Sequence, residues 1–354
     1  MNGPADRAVG VIGAGAWGTA LAQVLASDGR TVVLWARSPQ TAAAIAQARC
    51  NAVYLPGTRL HDSIRVTADP HDLAGLGTIM VVTPAQAMAT VLAQMPGFAG
   101  DLVVCAKGIE RGTGRLMVDV ARAVQPQACL AVLSGPTFAH EVAARLPTAV
   151  TLACAGGPEQ WQRLAPVIAR PAFRPYYSHD VIGAEIGGAV KNVLAVACGV
   201  VDGLGLGQNA RAALISRGYA EMLRFGLAFG AEGETLTGLS GLGDLVLTCN
   251  SMASRNFALG RALGEGAEAA GLLTDRHTVA EGAFTAPVLV ELARARAIAM
   301  PIAEAVAALV SGAMPARAMA EALLARPLRS EMDAATMATA EGRHGVNMGE
   351  PGLG

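Results

Sequence analysis

The chain has 354 residues, of which 52% are hydrophobic and 16% are charged, and its formal net charge is −1. This composition excludes a disordered protein, and the near-neutral charge favours neither nucleic acid nor an anionic membrane as a partner. The length is sufficient for about two domains. Charged residues such as Lys191 and Asp202 interrupt the apolar stretches, so no uninterrupted run of roughly 20 apolar residues predicts a membrane span.

The cysteines and histidines are spread along the chain. The six cysteines include no CxxC pair, and most lie in apolar runs, which is typical of reduced thiols in the core of a cytoplasmic protein. The histidines have no metal-site spacing, and the amino terminus lacks the features of a signal peptide. We therefore expect a cytoplasmic protein that holds no metal.

Short β-rich runs alternate with helical stretches in the first half of the chain. Strands are predicted over residues 8–13, 31–36, 78–84, 101–108, 128–136 and 148–154, and helices over 16–29 and about 39–48. Strands that alternate with helices predict βαβ units. The expected fold class is α/β, with a Rossmann-type, doubly wound and mostly parallel sheet.

The composition changes at about residue 183, where the β-rich runs end and alanine- and leucine-rich segments with helical periodicity begin. This change predicts an all-α C-terminal domain. We place a dinucleotide-binding domain at residues 1–185 and an all-helical substrate and catalytic domain at 186–334. The small, polar and glycine-rich residues 335–354 predict a flexible tail.

A glycine-rich motif follows the first predicted strand and opens the first helix. Gly13, Gly15 and Gly18 have the G-x-G-x-x-G spacing, and this context distinguishes a dinucleotide-binding loop from a chance glycine-rich turn. The first glycine permits a tight turn, the second lets the backbone approach a pyrophosphate, and the third allows close helix–strand packing. The start of the helix supplies amides for the anion.

The end of the second predicted strand bears on the choice of cofactor. An NAD site usually has an acidic residue there, but this chain has Arg37 followed by Ser38. A guanidinium can pair with the 2′-phosphate of NADP, so NADP(H) is favoured over NAD(H). The alternative is that Arg37 stacks on the adenine and that both cofactors are accepted.

Several polar residues stand in apolar or glycine-bounded settings. Lys107 lies at the end of one predicted strand and Thr137 just after another, where ligands bind in such sheets, and Asp244 lies in a glycine-bounded loop. Arg255 and Asn256 occupy the first turn of a predicted helix, which is typical of an anion site. Each has a plainer interpretation: a surface lysine for Lys107, a helix cap for Asp244 and a solvated arginine for Arg255.

Residues 187–199, GGAVKNVLAVACG, place one lysine among apolar and small residues. A buried ammonium is costly unless it is paired, and burial lowers its pKa. Either Lys191 extends to water from an amphipathic helix, or it is a proton donor in a closed site.

Nine stretches stand in a specific order between Val9 and Glu331. They read GAGAWGTALA, NAVYLPG, AKGIE, SGPTFAHEVA, LPTAV, GGAVKNVLAVACGVVDGLGLGQNARAALISRG, GLGDLVLTC, SRN and AEG. This combination resembles the bacterial NAD(P)-dependent sn-glycerol-3-phosphate dehydrogenase family over nearly the whole chain. Ala16 and Trp17 depart from the Ser-Tyr or Ser-Trp that relatives often have, which removes one hydroxyl contact.

The resemblance implies a role for each matching position, with Lys191 as the catalytic acid/base. The implied substrate-binding residues are Lys107, Gly135, Thr137, Lys191, Asp244, Ser254, Arg255 and Asn256. The implied cofactor-binding residues are Gly13, Gly15, Ala16, Trp17, Gly18, Arg37, Lys107, Ala139, Arg255, Val279 and Glu281.

The implied reaction is the reversible reduction of dihydroxyacetone phosphate to sn-glycerol 3-phosphate, which would feed glycerophospholipid synthesis. Lys191 would stabilise and protonate the carbonyl oxygen. Burial and Lys107 would lower the pKa of Lys191, whereas Asp244 would raise it. Arg255 and Asn256 would hold the phosphate, and the enzyme is expected to be a homodimer.

Two other functions share some of these features. A hydroxyacid dehydrogenase of the 6-phosphogluconate type has a glycine-rich loop, a helical second domain and a lysine–asparagine pair, but GLGDLVLTC and SRN favour a glycerol phosphate pocket. A cofactor-binding sensor without catalysis would not need Lys191, Asp244 and Lys107 together.

Overall fold

The computed structural model describes residues 8–273 and 280–326. Ten strands lie within residues 8–178 of the described chain. In order they are β1 (Val9–Ile12), β2 (Val32–Trp35), β3 (Cys50–Asn51), β4 (Leu55–Arg59), β5 (Ile64–Thr67), β6 (Thr78–Val81), β7 (Asp101–Val104), β8 (Cys129–Ser134), β9 (Thr148–Cys154) and β10 (Phe173–Ser178). Strands β3 and β4 form a separate antiparallel hairpin.

The other eight strands form one sheet in the order β10-β9-β8-β7-β6-β1-β2-β5. All neighbours pair in parallel except β8 and β9, so β9 and β10 run against the other six. Strands β1, β2, β6 and β7 are buried along their whole length, as expected where helices cover both faces of a parallel sheet. The predicted Rossmann-type, mostly parallel sheet is confirmed.

Six helices accompany this sheet. They are α1 (Ala16–Leu25), α2 (Pro39–Ala48), α3 (Met88–Leu92), α4 (Met117–Val124), α5 (Ala139–Ala143) and α6 (Gly157–Ile168). Helix α1 continues into one 3₁₀ turn and ends at Gly29, whose φ of 88° explains the predicted glycine stop. Val11 and Ile12 belong to apolar clusters on opposite faces of the sheet, because successive strand residues face opposite sides.

The strand predictions were wrong at two kinds of position. The strands predicted over 78–84 and 101–108 end at Val81 and Val104, because the next residues leave the sheet and form turns at its carboxyl edge. The hairpin and the strands β5 and β10 were not predicted. Strands β5 and β10 are the two edges of the sheet and are partly exposed, so they lack the continuous apolar runs of buried strands.

The described part of the chain after residue 180 is helical, as predicted. Its helices are α7 (Val181–Gly203), α8 (Gly207–Ala228), α9 (Gly233–Thr237), α10 (Asp244–Cys249), α11 (Arg255–Gly264), α12 (Ala269–Leu273), α13 (Glu281–Ala295), α14 (Pro301–Val310) and α15 (Ala316–Leu324). The domain boundary predicted at 185/186 falls within the first turns of α7 and stays a prediction. The predicted tail, residues 335–354, lies outside the described residues.

Helix α7 is the centre of the helical part. Its 23 residues are long and apolar enough to cross a membrane, but 89% of its most apolar 18 residues are buried inside the protein. Helices α8, α10, α11 and α13 pack around it. We interpret α7 as a core helix, and its apolar surface is covered by protein.

Glycines let α7 and α11 approach closely. A Cβ on Gly199 would stand 2.1 Å from the carbonyl oxygen of Phe257, and one on Gly260 would stand 2.0 Å from that of Val196. Real side chains cannot occupy such positions, so the two backbones are in direct contact only because both residues lack a Cβ.

We expect Gly260→Ala to lower the free energy of unfolding by about 1–3 kcal/mol, because the added methyl forces the two helices apart. Urea denaturation followed by circular dichroism measures the loss. Gly233→Ala is the matched control, since a Cβ there meets only Leu223 Cδ1, at 3.9 Å. Equal stability of the two variants would contradict the packing argument.

Candidate active site

The glycine-rich loop joins β1 to α1 beside the turn that follows β6. Gly13 has a φ of +113°, and a Cβ there would lie 2.7 Å from the carbonyl oxygen of Val82. A Cβ on Gly18 would lie 1.8 Å from the carbonyl oxygen of Gly13. Apart from Gly15 and its two chain neighbours, no described residue has an atom within 4 Å of the Cβ position of Gly15. Two glycines therefore fix the turn, and the third faces open space.

The first turn of α1 presents its backbone to that space. Gly15 is the N-cap and has no side chain, so Ala16 and Trp17 begin the helix with amides that have no intrahelical partner. The Trp17 ring packs against Phe173, with 6.5 Å between ring centroids. Ala139 begins α5, which packs against α1.

Arg37 follows β2 and has an exposed side chain. The next residue, Ser38, caps α2, because its hydroxyl accepts a hydrogen bond from the Thr41 amide at 3.2 Å. The guanidinium is thus available at the carboxyl end of a strand that neighbours β1.

Asp244 joins the two lysines that the sequence singles out. Lys191 Nζ donates to Asp244 Oδ1 at 2.6 Å, and Lys107 Nζ donates to Asp244 Oδ2 at 2.7 Å. Asp244 is fully buried, Lys191 is buried, and the Lys107 side chain is 18% exposed. Asp244 begins α10 but binds lysines rather than capping the helix, and Lys107 is not a free surface lysine.

Thr248 belongs to the same group, and the sequence analysis did not identify it. Its Oγ1 accepts a hydrogen bond from Lys191 Nζ at 2.9 Å, one helical turn beyond Asp244. An ammonium has three donors, and these two contacts leave one N–H of Lys191 for another acceptor. The i, i+4 spacing from Asp244 was the available signal.

The lysine content of the chain is a second signal. Of the 27 basic residues counted as lysine or arginine, only Lys107 and Lys191 are lysines. Both bind the same carboxylate. The chain therefore uses arginine for its surface charge and lysine only at Asp244.

The pKa of Lys191 is lowered to about 8, mainly because burial disfavours the charged amine. The positive charge of Lys107 lowers this pKa further, and Asp244 opposes both effects by stabilising the ammonium. Such a value lets the amine gain or lose a proton near neutral pH, as a general acid or base requires.

The turn after β8 lies beside Lys107. The Gly135 carbonyl accepts hydrogen bonds from Lys107 Nζ at 3.3 Å and from the Thr137 hydroxyl at 3.2 Å. Ser134 Oγ is buried and has no hydrogen-bond partner among the described residues. The predicted substrate residues Gly135 and Thr137 are therefore in the same group as Lys107.

The start of α11 contributes three more predicted residues. Ser254 caps the helix by accepting from the Phe257 amide, and the Arg255 side chain is exposed. Asn256 is buried: its Nδ2 donates to Asn192 Oδ1 at 2.9 Å, and its Oδ1 accepts from the Gly282 amide at 2.8 Å. Asn256 thus ties α11 to α7 and to the start of α13.

Glu281 links α13 to the turn after β6. Its Oε1 accepts a hydrogen bond from the Ala85 amide at 3.3 Å, and Oε2 is buried with no partner among the described residues. Burial raises the pKa of Glu281 to about 7, against the opposing effects of the Ala85 amide and of Arg255. Val279, the other predicted cofactor residue near α13, lies outside the described residues.

Three buried side-chain oxygens near the turns after β6 and β7 have no hydrogen-bond partner among the described residues. They are Thr83 Oγ1, Thr285 Oγ1 and Glu281 Oε2. Glu281 Oε2 and Thr285 Oγ1 each lie 3.5 Å from the position that a Cβ on Gly108 would take. Together with the open space at Gly15, these unpaired polar atoms fit a polar ligand laid across the switch point between β1 and β6.

Two family models match most of the chain. The N-terminus of NAD-dependent glycerol-3-phosphate dehydrogenase matches residues 8–159, and the C-terminus of the same enzyme matches residues 180–321. The chain belongs to the NAD-dependent glycerol-3-phosphate dehydrogenase family. The resemblance stated from the motifs is confirmed.

Named relatives of this dehydrogenase family are similar over nearly their whole length. Glycerol-3-phosphate dehydrogenase [NAD(P)+] of Novosphingobium aromaticivorans is 66% identical over 323 residues, 91% of this chain and 98% of that protein. The enzyme of the same name from Erythrobacter litoralis is 65% identical over 91% of this chain and 97% of that protein. The crystal structure of glycerol-3-phosphate dehydrogenase from Coxiella burnetii is similar to this chain with a TM-score of 0.86 and 38% sequence identity. The similarity covers 90% of this chain and 99% of that one.

We expect Asp244→Asn to lower the pKa of Lys191 by about 1 or more, because the carboxylate that stabilises the ammonium is lost while Lys107 stays close. Protein labelled with ¹³C only in lysine gives two side-chain signals, since the chain has two lysines, and their pH titration gives the pKa. Asp202→Asn is the control: Asp202 also lies on α7 but pairs with Arg211 and Arg261. An unchanged or raised pKa in Asp244→Asn would contradict this account.

Proposed function

We propose that this protein catalyses the NAD(P)-dependent, reversible reduction of dihydroxyacetone phosphate to sn-glycerol 3-phosphate. The observation that carries the proposal is the fully buried carboxylate of Asp244, which pairs with both Lys107 and Lys191. The chain belongs to a family of dehydrogenases that act on this substrate, and its relatives named glycerol-3-phosphate dehydrogenase [NAD(P)+] share 52–66% of their residues with it over most of its length.

A bound NAD(P)H would supply the hydride that reduces the carbonyl carbon. Gly13 and Gly18 shape the turn, and Gly15 would leave room for the pyrophosphate beside the first amides of α1, where the helix dipole favours an anion. Ala16, Trp17 and Ala139 line the same region. Glu281 and Thr285 offer unpaired oxygens near Gly108.

Lys191 gives its proton to the carbonyl oxygen in the direction of reduction. Two of its donors are held by Asp244 and Thr248, so the third N–H is fixed in direction before substrate binds. That N–H stabilises the negative charge that grows on the oxygen and then transfers as the proton. In the direction of oxidation, the neutral amine accepts the proton of the alcohol.

Asp244 holds both lysines in place and balances one of their two charges. The remaining positive charge favours a negatively charged substrate and its developing alkoxide. Arg255 and the start of α11 bind the phosphate, with the second N–H of Asn256 available beside them. Binding energy from the phosphate positions the reacting carbon, which lies at the other end of the substrate.

NADP(H) is the preferred cofactor in this proposal, because Arg37 provides an exposed guanidinium for a 2′-phosphate. The enzyme works in the cytoplasm as a homodimer, and its product serves glycerophospholipid synthesis. The alternative of a sensor is not favoured, since sensing requires no amine with a pKa near 8 held by a buried carboxylate.

We expect Lys191→Met to lower kcat for dihydroxyacetone phosphate reduction by about 10² or more, because the side chain keeps its length but loses the proton. The measurement is the oxidation of NADPH, with NADH in parallel. Binding of NADPH, followed by its fluorescence, should be retained in the variant. A wild-type chain that binds NADPH but does not turn over dihydroxyacetone phosphate would contradict the proposed function.

We expect Arg37→Ala to raise the KM for NADPH by about tenfold and to leave the KM for NADH nearly unchanged. The variant removes a charge-assisted contact between the guanidinium and the 2′-phosphate, and only NADPH has this phosphate. Arg59→Ala, which removes an exposed arginine of the same domain that pairs with Asp62, should affect neither cofactor. Equal changes for both cofactors in Arg37→Ala would support stacking on adenine.

A further inference from the structure

The stretch NAVYLPG has no part in the chemistry described above, yet it forms the β3–β4 hairpin beside the glycine-rich loop. The hairpin is outside the main sheet. Asn51, at the end of β3, is buried and lies against the start of α1. A polar side chain buried at this point needs partners, and Asn51 finds them in the loop, in α1 and in the hairpin itself.

The Asn51 amide group is fully engaged. Its Nδ2 donates to the carbonyl oxygen of Ala14 at 2.9 Å and to Thr19 Oγ1 at 2.8 Å. Its Oδ1 accepts a hydrogen bond from the Tyr54 amide at 3.3 Å, within the hairpin itself. The hairpin therefore fixes the amide group, and the amide group fixes the loop.

Thr19 extends this chain of hydrogen bonds by one step. Its hydroxyl accepts from Asn51 and donates to the carbonyl oxygen of Gly15 at 2.8 Å, and its own amide also donates to that oxygen at 3.0 Å. Two consecutive carbonyls of the glycine-rich loop, those of Ala14 and Gly15, are thus held toward the hairpin and the body of α1.

Holding these carbonyls determines where the next two amides point. The described chain has no cis peptide bond, and in a planar trans peptide the N–H points opposite to the C=O. The amides of Gly15 and Ala16 therefore point away from Asn51 and Thr19. Within the part of the chain that the structure describes, only Gly15 and its chain neighbours have atoms within 4 Å of its Cβ position, so the space beside this residue is open to a ligand.

We propose that Asn51 and Thr19 are positioning residues that orient the amides of Gly15 and Ala16 toward the pyrophosphate of the cofactor. They act through the loop and touch neither substrate nor reacting atoms. This inference rests on the proposed function, because it assigns the open space to a dinucleotide. The inference gives the hairpin a role in cofactor binding, although the hairpin lies outside the main sheet and Val53 at its tip is 68% exposed.

The variants separate loop orientation from hairpin attachment. Thr19→Val keeps the shape but removes the hydroxyl, Thr19→Ser keeps the hydroxyl, and Asn51→Leu removes the amide. Gln23→Met is the control, because Gln23 lies one turn further along α1 and holds the other end of the hairpin, at Arg59 and His61, without touching the loop.

The readout is the Kd of NADPH for the full chain without substrate, measured by fluorescence titration. Thr19→Val and Asn51→Leu should each weaken binding by about tenfold, and Thr19→Ser by no more than about twofold. The double variant should be less than additive, because both residues belong to one chain of hydrogen bonds. With saturating NADPH, kcat and the KM for dihydroxyacetone phosphate should stay within about twofold of the wild type.

Gln23→Met should lower the thermal unfolding temperature and leave the Kd of NADPH unchanged. The inference is overturned if Thr19→Val binds NADPH as tightly as the wild type, or if Gln23→Met weakens binding as much as Thr19→Val does. In both cases the wild type still binds and turns over substrate, so the proposed function stands. A wild type that binds neither NADPH nor NADH overturns the proposed function together with this inference.

Discussion

The ion pairs of Asp244 with two lysines are the constraint on which the site depends. A carboxylate with no exposed surface is costly to bury alone, and so is the Lys191 ammonium. Each group is tolerable only because the others are within hydrogen-bond distance. Lys191 lies in the middle of α7 and Asp244 begins α10, so this pair forms within the helical part. Lys107 follows β7, so the sheet and the helical part must pack together before Lys107 reaches the same carboxylate.

Other contacts hold the helices and the turns of the sheet in fixed positions around this group. Glycines bring α11 into backbone contact with α7, Asn256 joins both helices to α13, and Glu281 joins α13 to the turn after β6. On the other side, the hairpin holds the glycine-rich loop through Asn51. The proton donor, phosphate site and cofactor loop that we propose thus lie on elements joined by direct contacts, and catalysis depends on such positioning of the reacting groups.

Local patterns in the sequence were enough to predict the inner strands, the glycine-rich loop and the helical second half, because burial and turn geometry leave a signature in a few consecutive residues. The edge strands β5 and β10 carry no such signature, since one side of each is exposed. Contacts between distant segments were also out of reach: residues 107, 191 and 244 are far apart in sequence, and the family resemblance supplied their roles rather than their distances. Thr248 and the scarcity of lysine were visible in the sequence and were missed.

The length of α7 has a consequence for the synthesis of the chain. As the helix leaves the ribosome, the helices that will cover it have not been made. Its apolar stretch is then exposed and is long enough to cross a membrane. Lys191 stands near the middle of that stretch, where a lysine adds about 2.5–3.5 kcal/mol to the free energy of insertion into a bilayer. The residue that we assign to proton transfer therefore also raises the free-energy cost of placing this helix in a bilayer.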